Sequence, residues 1–201
     1  MASGKKQFNK RGSDFGRSNQ QGARKNAHST GTKPLIKDET ELLALLEKAK
    51  NPLILILDCI QDPHNLGACL RSANGAGVDA VIMPKDRAVG VTQTAISVSC
   101  GGAAHTPIFR VTNLARTMET LKDHGIRIAG TSDHKGTENL YTADLSGPLA
   151  LVMGSEAKGI RQLTLKNCDL LLEIPMAGFV ECLNVSVATG VCLFEIVRRR
   201  G

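Results

Sequence analysis

The stretch LILILDCIQDPHNLGACLRSANGAGVDAVI, residues 53–82, decides the fold. Its opening LILILD is apolar at every position but the last. A strand with one wet face would alternate apolar and polar residues. A near-continuous apolar run fits a strand covered by helices on both faces, as in a parallel sheet. The DPHN turn follows, then a helix over residues 65–76 and a second strand over 78–83. The same alternation continues outward in both directions. Residues 38–50 (DETELLALLEKAK) read as an amphipathic helix, with Asp38 and Glu41 in capping-box spacing and Leu42, Leu45, Leu46 and Ala49 on its buried face. Toward the C-terminus come a helix over 91–99 ended by Gly101-Gly102, a strand over 108–111 and a helix over 112–124. Strands over 126–131 and 149–153 follow, then a loop over 154–159 leading into a helix to about residue 167. A strand over 170–174 and a helix over 184–200 complete the chain. Strands and helices joined by short connections predict one α/β domain over residues 34–201, a mostly parallel sheet flanked by helices.

Charge is spread unevenly. Residues 1–33 hold eight Lys or Arg against the single acid Asp14, a net charge of +7, whereas residues 34–201 carry a net charge of −1. Rich in Gly, Ser, Asn and Gln, the first segment cannot bury enough apolar surface to offset its ordering entropy, so it is expected to be a disordered tail. Its charge suits an electrostatic arm for phosphate backbones, or a solubilising tail. Six cysteines (59, 69, 100, 168, 182 and 192) form no CxxC pair, and most lie in apolar runs. They read as reduced core thiols of a cytoplasmic protein rather than a disulfide scaffold. No segment reaches the ~18 apolar residues of a membrane span, and the polar N-terminus lacks the apolar region of a secretory signal.

Three loops follow strand ends, over residues 58–65, 153–159 and 174–184. In a parallel sheet such loops gather at one edge and can share a site. Asn65, Arg71, Glu156, Cys182, Asn184 and Ser186 are the candidates they bring there. Three of them also have a plainer reading: Asn65 as a helix cap, Arg71 as a surface cation, Glu156 as a first-turn acid. In IPMAGFVECLNVSVATG (174–190), Pro175 stops the strand, Gly178 permits a turn, and Asn184 and Ser186 suit a helix start. Leu183, Val187, Val191 and Phe194 then fall at helical spacing, and Arg198, Arg199 and Arg200 sit in the last turn, where cations suit the helix dipole. GSEAKGIR (154–161) spaces its glycines like a phosphate loop but lacks the Lys-Ser/Thr that should follow, and no GxGxxG follows a strand. His64 reads as a turn residue. The histidines show no ligand spacing, so no metal is expected.

Three of these stretches are similar to a known family. LDCIQDPHNLGACLRSANGAGVDAVI (57–82), LALVMGSEAKGI (149–160) and IPMAGFVECLNVSVATGVCLFEIVRRR (174–200) resemble, in order and spacing, the motifs of the SpoU/TrmH family of RNA ribose 2′-O-methyltransferases. Within the family, MPKDR (83–87) and VTNLARTM (111–118) look most like the enzymes that methylate guanosine in 23S rRNA. The resemblance covers about residues 50–200. It implies a C-terminal deep trefoil knot, a rare topology that no strand pattern could suggest. It implies S-adenosylmethionine as cofactor, bound largely by backbone groups at Met153, Gly154, Ile174, Met176, Gly178 and Leu183. It assigns catalytic positions to Asn65, Arg71, Glu156 and Asn184, and to Cys182 where the family usually has Ser. It further implies a homodimer, with the apolar face of the last helix as candidate interface, and rRNA as substrate.

The chain departs from the family at Glu181-Cys182, where a thiol is a weaker hydrogen-bond partner than a hydroxyl. The nearest relatives also carry a separate N-terminal RNA-binding domain, for which the basic tail is a candidate substitute. Alternative readings are a tRNA ribose methyltransferase and a non-catalytic RNA-binding or ribosome-assembly factor.

Overall fold

The computed structural model describes residues 33–132, 136–155 and 159–201. Glu156, and the basic tail apart from Lys33, lie outside the described residues. The order of elements is β1 (Ile36–Lys37), α1 (Glu39–Leu46), β2 (Leu53–Asp58), α2 (Pro63–Gly75), β3 (Ala80–Pro84), α3 (Gln93–Val98), α4 (Gly102–His105), β4 (Ile108–Val111), α5 (Leu114–Asp123), β5 (Arg127–Thr131), β6 (Glu138–Asn139), β7 (Leu149–Gly154), α6 (Gln162–Lys166), β8 (Leu170–Glu173) and α7 (Val185–Arg200). Among the described residues, eight strands form one sheet in the order β1-β4-β3-β2-β7-β5-β8-β6. Every pairing is parallel.

All six residues of β2 and all six of β7 are buried, as the unbroken apolar runs require. Successive side chains of a strand point to opposite faces, so each strand feeds two cores. Leu53, Leu55 and Leu57 join a core with Leu66 and Leu70 of α2 and Cys192, Leu193 and Ile196 of α7. Ile54 and Ile56 join the other, with Leu42 and Leu46 of α1 and Leu114, Met118 and Leu121 of α5. Asp38 and Glu41 form the capping box anticipated for α1.

Some expectations need correction. β1 and β6 were not anticipated: two residues carry no alternation to read. α6 is a five-residue helix, shorter than the sequence suggested. The cap of α2 is Asp62, which accepts from the backbone N–H of His64 and Asn65, with Pro63 in the first turn. His64 therefore lies in the helix rather than a turn, and Asn65 is not the cap. Of the cysteines, only Cys69 and Cys192 are buried; Cys59 and Cys168 are intermediate and Cys100 and Cys182 exposed. α7 turns Val185, Thr189, Cys192, Leu193 and Ile196 inward, leaving Val187 and Phe194 about half exposed. The helix is apolar on two faces, and spacing alone selected the outer one. Its terminal arginines also do more than meet a dipole. Arg198 and Arg199 pair with Glu195, Arg199 donates to the Tyr141 and Ala143 carbonyls, and Arg200 to those of Asn51, Pro52 and Gly147. They fasten the end of α7 to the loops that feed β2 and β7.

Candidate functional site

The parallel register brings Asp58, the last residue of β2, level with Gly154, the last of β7. The loops that follow them open onto a cavity of about 480 Å³. Its described lining includes Ile60, Asn65, Arg87, Ser155, Arg161 and Val185. One wall is the start of α2, another the start of α7. Both helices therefore aim the positive ends of their dipoles near the cavity.

Asn184 joins these walls. Its amide N–H donates to Asn65 Oδ1 at 3.1 Å, while its own oxygen accepts from the backbone N–H and hydroxyl of Ser186 at 2.9 and 2.6 Å. Asn184 is thus both the cap of α7 and the link to α2. Two residues 119 positions apart in sequence meet here, as the loop-gathering argument requires.

The third wall is a tight turn. Ser155 and Gly159 exchange backbone hydrogen bonds of 3.0 and 2.8 Å, closing the chain on itself after β7. A Cβ on Gly154 would stand 2.1 Å from the Gly159 carbonyl carbon, so only glycine lets the backbone approach this closely. The turn is pinned to β2 by a pair that the sequence reading missed. Asp58 is fully buried, and its carboxylate accepts from Arg161 Nε at 2.8 Å and the Arg161 backbone N–H at 3.0 Å. Arg161 NH2 completes the ion pair at 2.7 Å. Burial alone would lower the Arg161 guanidinium pKa, but the bond to Asp58 outweighs it and the net shift is upward. Cys59 donates to the same carboxylate at 3.4 Å. Burial and the Asp58 charge raise its thiol pKa, so it stays protonated rather than nucleophilic. An acid closing an otherwise wholly apolar strand was the available signal for Asp58. Arg161 stands at the Ser/Thr position of the incomplete phosphate loop, a place that gives no sign of an ion pair.

The other anticipated residues are distributed as follows. Met153 is buried at the end of β7 with Gly154 beside it, and neither lines the cavity. Ile174 and Leu183 are partly buried, and Met176 and Gly178 exposed, on the loop between β8 and α7. Cys182 is exposed on the same loop, next to the exposed Glu181. Arg71 is exposed on α2, and six residues at 3.6 per turn set it about 120° around the helix from Asn65. It does not line the cavity. Among the described residues, no group of His, Cys, Asp and Glu could hold a metal ion. No described helix is long and apolar enough to cross a membrane.

A ligand of this cavity meets apolar patches from Ile60 and Val185, backbone groups from the turn, and cationic and helix-end polarity around the mouth. That mixture suits a molecule with both apolar and charged parts. Residues 52–194 match the family described as SpoU rRNA Methylase. The chain is 58% identical over 163 residues to a protein of Photobacterium profundum named 23S rRNA (guanosine-2'-O-)-methyltransferase RlmB, covering 81% of this chain and 66% of that one. It is 58% identical over 164 residues to the protein of the same name from Haemophilus ducreyi, with the same coverage. This chain therefore spans just under two thirds of the length of these curated relatives. Among solved structures, the SpoU methyltransferase AviRb from Streptomyces viridochromogenes, in complex with AdoMet, superimposes with a TM-score of 0.71 at 26% identity, covering 78% of this chain and 61% of that one. An AdoMet-bound rRNA methyltransferase from Sinorhizobium meliloti gives a TM-score of 0.69 at 28% identity, covering 77% and 60%.

Proposed function

Because this chain belongs to the SpoU rRNA methylase family, we propose that it transfers the methyl group of S-adenosylmethionine to a ribose 2′-hydroxyl of RNA, at a guanosine of 23S rRNA. The observation that carries this reading is that Asn65, held by its bond from Asn184, lines one cavity with Ser155 and Gly159. These residues fit the cofactor. Ser155 and Gly159 line the cavity on the β7 side, and Ile60 and Val185 offer apolar contact. When bound, S-adenosylmethionine supplies an electrophilic methyl on a sulfonium centre.

In this reading Met153 and Gly154 hold the cofactor from one side, and Glu156 is a catalytic position. Ile174, Met176, Gly178 and Leu183 hold it from the other. Asn65 and Asn184, fixed by their mutual bond and by Ser186, orient the ribose hydroxyl, and such orientation supplies much of the acceleration. Arg71 is a poor base, since a guanidinium keeps its proton to above pH ~12. It instead binds phosphate bidentately and stabilises the developing alkoxide. Cys182 occupies the family's serine position as a weaker hydrogen-bonding group.

The same reading includes a C-terminal trefoil knot. In its support, β8 pairs beside β5, beyond β7, and α7 then returns across the sheet to pack on α2. It also includes a homodimer, supported by the half-exposed Val187 and Phe194 and by the fully exposed Phe179. The protein acts in the cytoplasm, and residues 1–33 supply an arm for RNA phosphates. The tRNA alternative draws on more distant relatives, such as the TrmH/SpoU tRNA modifying enzyme of A. aeolicus at 28% identity.

The test is Arg71→Ala, assayed for methyl transfer to unmodified 23S rRNA and, by calorimetry, for S-adenosylmethionine binding. We expect transfer to be abolished and cofactor affinity to be nearly intact. Wild-type transfer in this variant would overturn the assignment of Arg71, and absence of cofactor binding by the unaltered protein would overturn the reading itself.

A further inference from the structure

Three described non-glycine residues adopt positive φ: Cys59 at 65°, Arg87 at 58° and Cys100 at 50°. Two of the three, Cys59 and Arg87, line the cavity. Left-handed backbone at non-glycine residues is costly and persists where its surroundings enforce it, commonly at binding sites. What enforces it at Arg87 is visible. The loop after β3 is tied at Lys85, whose N–H donates to the Val111 carbonyl at 2.8 Å, and again where Arg110 NH2 donates to the Lys85 carbonyl at 2.7 Å. On its far side, the Val89 N–H donates to the Ile60 carbonyl at 2.8 Å, joining this loop to the one after β2. Arg87 is thus held at the cavity mouth by a loop fastened at both ends.

Among the described residues it forms no ion pair there, and the one carboxylate that lines the cavity with it, Asp62, is turned to the N–H groups of α2. The other cavity arginine, Arg161, is neutralised by Asp58. No carboxylate pairs with Arg87, Lys85 or Arg110 among the described residues. The acids nearby are already employed. Asp62 caps α2, Glu39 accepts from the Thr112 N–H, Asp38 caps α1 and Glu41 pairs with Lys37. Asp86 is exposed between Lys85 and Arg87 in sequence. Lys85 and Arg110 line a second hollow beside the ends of β3 and β4, where Lys37 and the carboxylates of Asp38, Glu39 and Glu41 balance the charge, so the excess cation is at Arg87 itself. This loop lies on the β3 side of β2, opposite the β7 turn to which the cofactor is assigned.

We propose that Arg87 binds a backbone phosphate of the substrate RNA at the cavity mouth. This rests on the methyltransferase reading above and extends it to a residue which that reading does not use. A guanidinium suits phosphate because its planar donors match two oxygens at once.

The left-handed backbone gives an unusually clean test, because glycine prefers the conformation Arg87 is forced into. Arg87→Gly removes the charge while relieving strain, so loss of function cannot be ascribed to misfolding. We expect its melting temperature to equal or exceed that of the unaltered protein and its S-adenosylmethionine affinity to be nearly unchanged, since S-adenosylmethionine carries no phosphate. Transcribed, unmodified 23S rRNA is the probe. The slope of log K against log salt should fall by about one. The KM for this RNA should rise about tenfold or more, an Arg–phosphate contact being charge-assisted, while kcat changes less. Arg87→Lys should keep the salt slope. An unchanged slope and KM in Arg87→Gly would overturn the proposal, as would a selective loss of cofactor affinity, which would move Arg87 to the cofactor side. The RNA-binding arm reads out even if the protein transfers no methyl group, so failure of the methyltransferase reading is distinguishable.

Discussion

Arg161→Ala probes the pair that holds the turn after β7 against the end of β2. The substitution removes Nε and NH2 from a carboxylate with no exposure to water. Asp58 would retain the backbone N–H of residue 161 at 3.0 Å and the weak Cys59 thiol donor at 3.4 Å. Removing one partner of a fully buried pair costs about 3–5 kcal/mol. The Arg161 side chain is 36% exposed and one backbone donor survives, so we expect about 2–4 kcal/mol. For a domain of this size each kcal/mol moves the melting temperature by about 2–4 °C, which predicts a drop of about 5–15 °C. Thermal unfolding followed by far-UV circular dichroism measures it, with no ligand needed. A double-mutant cycle with Asp58→Asn isolates the pair, and the double variant should lose less than the sum of the singles by about 1 kcal/mol or more. A melting temperature within about 2 °C of the unaltered protein, or strict additivity in the cycle, would refute the claim that this pair organises the turn.

Further outcomes follow from other contacts. Hydrogen bonds from Arg198 and Arg199 hold the Glu195 carboxyl at about 2. A depressed carboxylate contributes stability above its unfolded pKa of about 4.3 that disappears as pH falls toward 2, so Glu195→Gln should flatten the acid limb of a stability–pH curve between those values. A thiol reagent should label Cys100 and Cys182 rapidly in the native protein, and Cys69 and Cys192 only on unfolding. Burial pushes the Cys192 thiol up to about 12, reinforcing its inertness. Asn184→Ala removes both the α7 cap and the bond to Asn65, and should cost about 1–2 kcal/mol in stability and a larger share of transfer activity. Deleting residues 1–33, with their eight Lys and Arg, should weaken RNA binding and flatten its salt dependence; an unchanged slope would show that the tail contacts no phosphate.

What was legible in the sequence follows from which signals are local. LILILD and LALVMG announce fully buried parallel strands by themselves, and Asp38 with Glu41 announces a helix start. The meeting of Asn65 with Asn184 was legible only as a consequence of topology: loops after parallel strands share an edge. The Asp58–Arg161 pair spans 103 residues and no spacing encodes it. The inward face of α7 could not be chosen from period alone, because Val187 and Phe194 satisfy the helical repeat as well as Cys192 and Ile196 do. The positive φ of Arg87 lay beyond sequence reading for a different reason. It is imposed by bonds from Val89 to Ile60 and from Arg110 to Lys85, and arginine itself has no preference for that conformation.

The central claim is methyl transfer to a ribose hydroxyl, and the chemistry of RNA offers a direct measurement. Unmodified 23S rRNA is incubated with this protein and radiolabelled S-adenosylmethionine, then hydrolysed in alkali. A methylated 2′-oxygen cannot attack the adjacent phosphodiester, so the label should appear in an alkali-resistant dinucleotide that begins with guanosine. Label recovered in mononucleotides would place the methyl on a base and contradict the account. Absence of label from RNA, with the cofactor bound, would contradict it equally.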